Sequence, residues 1–107
     1  MTKKQVGALA IVWQERMLLD DWSITVVVDA TLPTAGHCEW DPNYSAKISL
    51  LPGNPRIMER VLVHELCHIL MHRWDKPKAA VESTVEHLTN AFLRAYPARR
   101  RRKPVVS

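Results

Sequence analysis

Residues 64 to 68 read His-Glu-Leu-Cys-His and sit between two apolar triplets, Val61-Leu62-Val63 and Ile69-Leu70-Met71. Polar side chains in so apolar a run must find partners, because unpaired buried polar groups are costly. Asn54 offers an N-cap and Pro55 a favourable first helical residue. From there Ile57, Val61, Leu62, Leu66, Ile69 and Leu70 recur at helical spacing, which predicts a helix to about Arg73. Residues four apart on a helix lie nearly above one another, so His64 and His68 can offer both imidazoles to one metal ion. Glu65 lies about 100° around the helix from His64. Its carboxylate stands beside the metal without being a ligand, placed to accept a proton from water. Zinc suits such a set, since it is tetrahedral, accepts imidazole and carboxylate, and keeps a position open when catalytic. It brings the pKa of its water towards ~7.

A third protein ligand is required, and the next helix is the place to seek it. Its expected span is about Pro77 to Tyr96, with Val81, Val85, Leu88, Ala91, Phe92 and Ala95 on the buried side. Glu82, Glu86 and Asn90 follow one another at intervals of four and share a stripe of that helix. His87 and His72 are further candidates. His72 lies two turns past His64, about 6 Å further along the axis than His68, a position suited to the helix end.

Upstream, Val6, Leu9, Ala10, Trp13, Met17 and Leu18 predict an amphipathic helix from about Lys4 to Leu19, which Asp20 and Asp21 stop. Ile24 to Val28 reads as a buried strand. Pro33 and Gly36 mark a turn. Short strands are expected from His37 to Trp40 and from Ala46 to Leu51, the latter ended by Pro52-Gly53. The order helix, two or three strands, helix, helix predicts an α+β domain over residues 1–97 with a small, about three-stranded sheet. The four tryptophans, Trp13, Trp22, Trp40 and Trp74, are expected in the core or on cleft walls.

At 107 residues there is room for one domain. The 47% hydrophobic and 24% charged content is that of an ordinary globular protein. The formal charge of +4 comes from Arg99 to Lys103, in a basic tail over residues 98–107; without those five residues the chain is slightly acidic. Apolar residues Val6 to Trp13 are followed at once by Gln14-Glu15-Arg16 with no cleavage site, so no signal peptide is expected. Nor is a membrane span, since no apolar run reaches eighteen residues. Two cysteines, Cys38 and Cys67, make no disulfide framework or C-x-x-C pair, so a cytoplasmic location is expected. Cys67 reads as a small buried helix residue, with a Cys38–Cys67 bridge or a thiol over the metal as alternatives.

The segment Val63-His64-Glu65-Leu66-Cys67-His68-Ile69-Leu70-Met71-His72, followed by Glu86-His87-Leu88-Thr89-Asn90-Ala91-Phe92, resembles the ImmA/IrrE-type metallopeptidases. There H-E-L-x-H-x-x-x-H precedes a helix with E-x-x-A-N-x-F-A. The chain is also similar to gluzincins of the thermolysin kind and, in compactness, to minigluzincins. The likeness covers about residues 46 to 93. It implies a minimal zincin-like domain, with an active-site helix and a following glutamate-bearing helix, that hydrolyses peptide bonds with one Zn2+. By the same likeness His64, His68 and Glu86 hold the metal, Glu65 is the general base, and Asn90 orients a ligand histidine. An alternative register makes Glu82 the ligand with Glu86 behind it. Thr89 departs from the family's alanine, Trp74 stands where a metzincin needs its third histidine, and the gap from His68 to Glu86 is short, which demands a tight connection around Trp74 to Lys76. The likeness further implies that Lys47-Ile48-Ser49-Leu50 is an edge strand pairing with extended substrate. An oxyanion donor would come from His37, Tyr44, His87 or Tyr96.

A peptide or protein substrate is therefore the expected partner. The competing expectation is a nucleic-acid-associated or regulatory protein that uses the 99–103 tail, with a structural metal site. A structural zinc is normally closed by four protein ligands, and no fourth is evident. Cutting of a repressor would follow only by family analogy.

Overall fold

The computed structural model describes residues 1–73 and 76–97; the basic tail, Trp74 and Asp75 lie outside the described residues. The elements are α1 (Lys3–Arg16), β1 (Ser23–Val28), β2 (Gly36–Asp41), β3 (Ser45–Leu50), α2 (Pro55–Leu70) and α3 (Lys78–Ala95). The chain is thus α+β, with three helices and a three-stranded mixed sheet. No helix among the described residues is long and apolar enough to cross a membrane.

The first two helices start for a readable reason. Thr2 and Gln5 form a reciprocal capping box on α1, and Asn54 caps α2 through the Arg56 N–H with Pro55 next in line. The first helix ends three residues earlier than the apolar spacing predicts. The Met17 and Leu18 N–H groups turn back on Trp13 and Glu15, and Leu18 takes the left-handed conformation at φ 57°.

The strand order is β1-β3-β2, with β3 parallel to β1 and antiparallel to β2. This corrects the expectation for Lys47 to Leu50. That segment is the central strand, hydrogen-bonded on both sides, and has no free edge to offer; the edge towards α2 belongs to β2. Rows such as Val26–Ile48–Cys38 face the helices, whereas Thr25–Lys47–Glu39 lies on the opposite, exposed face.

The core gathers the inner faces of α1, α2 and β3. Trp13, Ile48, Leu50, Leu62, Leu66 and Ile69 are fully buried within it. Trp13 ties the helices together: its indole N–H donates to Glu59 at 2.7 Å, and its ring meets Phe92 and Tyr96 edge-on. Two details of the expected core differ. On α2, Ile57 and Leu70 are exposed and Met58 and Val63 are buried instead, while Cys67 is buried as expected. On α3, Ala91 and Ala95 are exposed while Thr89 is fully buried. Thr89 can be buried because its hydroxyl donates to the Val85 carbonyl at 2.7 Å and touches the Cys67 sulfur.

Gly36 opens β2, where the sequence suggests a turn, and its role is one of space. A Cβ there would lie 2.5 Å from Val61 Cγ1 and 3.2 Å from a Glu65 carboxylate oxygen. Only glycine lets β2 run this close to α2. Gly36→Ala is expected to destabilise the fold by about 1–3 kcal/mol, as overpacking does; denaturant titration would show this as a lower midpoint.

Candidate metal centre

Two antiparallel helices build the site. Residues about equally distant from position 75 come face to face: His68 with Glu82, each seven residues away, His64 with Glu86, and Arg60 with Asn90. The short link between the helices therefore sets which α3 residue meets which turn of α2. Thr89 against Cys67 and the buried Val85 hold that register.

The Nε2 atoms of His64 and His68 both turn to Glu82, at 3.6 Å and 3.2 Å from its two carboxylate oxygens. One donor atom from each of these three residues lies within 4.8 Å of the other two. Ligands ~2.0–2.1 Å from a tetrahedral ion stand about 3.4 Å apart, so the trio fits one zinc-sized ion with little movement. Burial holds the His68 imidazole below its usual pKa, with Glu82 partly opposing it. That favours the neutral ring a metal requires.

Glu86, the expected third ligand, is not in this trio. One of its oxygens lies 3.1 Å from His64 Nδ1, and the other accepts from Arg60 at 2.9 Å. The Arg60 guanidinium beside it holds its carboxyl below the ordinary range, with the His64 contact adding to the effect. When Glu86 accepts from His64, the proton resides on Nδ1 and Nε2 keeps its lone pair for the cleft. The orienting contact assigned by resemblance to Asn90 is thus made by Glu86, and Asn90 stands one layer further out, accepting from Arg60. The cause is the short link, which brings Glu82 rather than Glu86 level with the two histidines. This arrangement is the alternative register anticipated for Glu82.

Glu65 is largely buried at 8% exposure and lines the same cleft as His64, His68 and Glu82, yet stays outside the trio. Desolvation raises its pKa; His64 and His37 pull the other way and Glu82 adds to the rise. The cleft holds about 530 Å³ and is also bordered by Gly36, Cys38, Trp40 and Lys78. Among the expected oxyanion donors only His37 reaches it. Tyr44 packs with Trp22, His72 and Arg73, Tyr96 meets Trp13 edge-on, and His87 is exposed on α3. His72 bonds to the Ile69 carbonyl at 2.9 Å, as befits a helix-end residue.

Three residues of the site carry no motif of their own in the sequence: Arg60, Lys78 and Gly36 as a spacer. Arg60 precedes His64 by four, so its place on the ligand face of α2 was readable; the other two depend on tertiary packing. Both cysteines are free. Burial pushes the Cys38 thiol up to about 12 and the Cys67 thiol to about 11, which leaves both protonated at neutral pH. Cys67 points to Thr89 and not to the trio.

Comparison with known proteins finds no matching family, curated protein or solved structure for this chain.

The two glutamates should separate in a zinc titration against a competing chelator. Glu82→Gln takes away one of the three converging donors and is expected to abolish tight binding. Glu86→Gln removes an orienting partner and should weaken it about 10–100-fold. Equal losses, or a larger loss at Glu86, would reverse the assignment.

Proposed function

We propose that this chain is a zinc-dependent peptidase of the small zincin kind, in which His64, His68 and Glu82 hold the ion. The observation that carries this reading is the convergence of those three donors beside a carboxylate, Glu65, that lines their cleft without joining them. A bound zinc would acidify water and polarise a carbonyl. Glu65 then accepts the proton of the attacking water and delivers it to the leaving amine. Its raised pKa suits it to both halves of that task. Glu86, anchored by Arg60, keeps the His64 ring in its working tautomer.

The substrate is an extended peptide or a protein segment. β2 is the strand suited to receive it. The bond from the Leu51 N–H to the Ala35 carbonyl sets the phase of the β2–β3 ladder. Alternation then turns the main-chain groups of Gly36, Cys38 and Trp40 outward. Thr34 already occupies the Gly36 carbonyl, at 2.9 Å. That leaves the groups of Cys38 and Trp40 for an incoming strand. His37 and Lys78 are the cationic groups at hand for a developing oxyanion. Two free, protonated thiols suit a reducing compartment such as the cytoplasm.

Glu65→Gln should abolish hydrolysis of a peptide library while zinc is retained in full; surviving activity would remove Glu65 from the mechanism. The same substitution tests burial. A carboxyl whose folded pKa is raised costs stability as pH climbs from its unfolded value through its folded one. The metal-free Glu65→Gln protein should therefore melt higher than wild type at neutral pH and no higher in acid. Each kcal/mol recovered corresponds to about 4–8 °C in a domain of this size. The acid limb of wild-type activity should lie above the ordinary glutamate range, since the base works ionised.

A further inference from the structure

The first helix carries apolar residues on its outer side as well as its inner one, between charged ends. Its inner face, Val6, Ala10 and Trp13, is buried. Its outer face carries Lys4, Ala8, Ile11 and Glu15, with Leu18 just beyond its end, at the 4-3-4-3 spacing of a helix-pairing seam. Ile11 is 59% exposed and Leu18 81%, and Val12 flanks them. Gly7, on the other flank, has open space where a side chain would be. Among the described residues nothing covers this side. Leu18 adds a second cost, since it holds a left-handed conformation that glycine or asparagine would adopt more easily.

The seam is self-complementary. Turned antiparallel about a two-fold axis between Leu9 and Ala10, positions whose numbers sum to nineteen face one another. Lys4 then meets Glu15 and the small Ala8 meets Ile11, each twice across the axis. Opposite charges pair, and large residues fill the space beside small ones. Neither Lys4 nor Glu15 has an ion-pair partner among the described residues.

We propose that α1 is the interface of a symmetric homodimer, two copies packing antiparallel with Lys4 of each against Glu15 of the other. One helix face is a small contact, below the about 1,200 Å² of stable specific interfaces, so the dimer exchanges readily with monomer. The inference does not depend on the metal centre.

Sedimentation velocity of the full chain over a concentration series tests it. Wild type should associate reversibly to a dimer. K4E and E15K each set like charges face to face twice per dimer, and each should weaken association about tenfold or more. Both substitutions complement the helix dipole, so thermal melts should show no loss of fold. The K4E/E15K double variant should dimerise again. So should an equimolar mixture of the two single variants, in which the introduced glutamate of one chain faces the introduced lysine of the other and the native Glu15 and Lys4 still pair. A wild type that stays monomeric throughout overturns the proposal. So does a dimer indifferent to the single swaps, or a mixture that fails to associate.

Discussion

The antiparallel packing of α3 on α2 is the contact on which the rest depends. It brings a carboxylate from one helix to two imidazoles of the other, and its register decides which carboxylate arrives. Thr89 against Cys67 and buried Val85 form the seam, while Arg60 bonded to Glu86 and Asn90 closes the far end. A slip of one helical turn, about 5.4 Å, would put Glu86 in the place of Glu82 and Asn90 in that of Glu86. The three-donor cluster is therefore a consequence of link length and seam packing together, and not of the five-residue motif alone.

The sheet contributes a wall and a constraint. β2 passes so close to α2 that no side chain fits at position 36, and that approach dries the environment of Glu65. Desolvation raises the carboxyl, a cost the fold bears at neutral pH. Such a cost is common where a carboxylate serves as a base. The other face of α2 offsets it with fully buried Leu62, Leu66 and Ile69. One helix thus carries the core on one side and the polar cluster on the other.

Much of this was legible in the sequence because it is local. The cap at Asn54, the β-branched run of β1, and the four-residue spacing of His64 and His68 all act within a few residues. Glu65 stands where one step around a helix puts it. The failures are of a different kind. Ile57 fits a helical period yet faces solvent, since period does not say which of two adjacent apolar stripes is covered. Residues 46 to 51 read as a strand and Ser45–Leu50 form one, but a strand's position in a sheet depends on pairing order, to which alternation is blind. Likeness to a family motif favours Glu86 over Glu82. The short link around position 75 points the other way, and arithmetic on that link finds the facing pairs.

The central claim is a ligand set of two imidazole nitrogens and carboxylate oxygen. X-ray absorption fine structure at the zinc edge of the zinc-loaded protein tests it most directly. The account predicts two imidazole scatterers with nitrogen and oxygen at ~2.0–2.1 Å and no sulfur, with one oxygen donor altered in Glu82→Gln. A sulfur shell at about 2.3 Å, which would bring Cys38 into the coordination sphere, or a single imidazole, would contradict it.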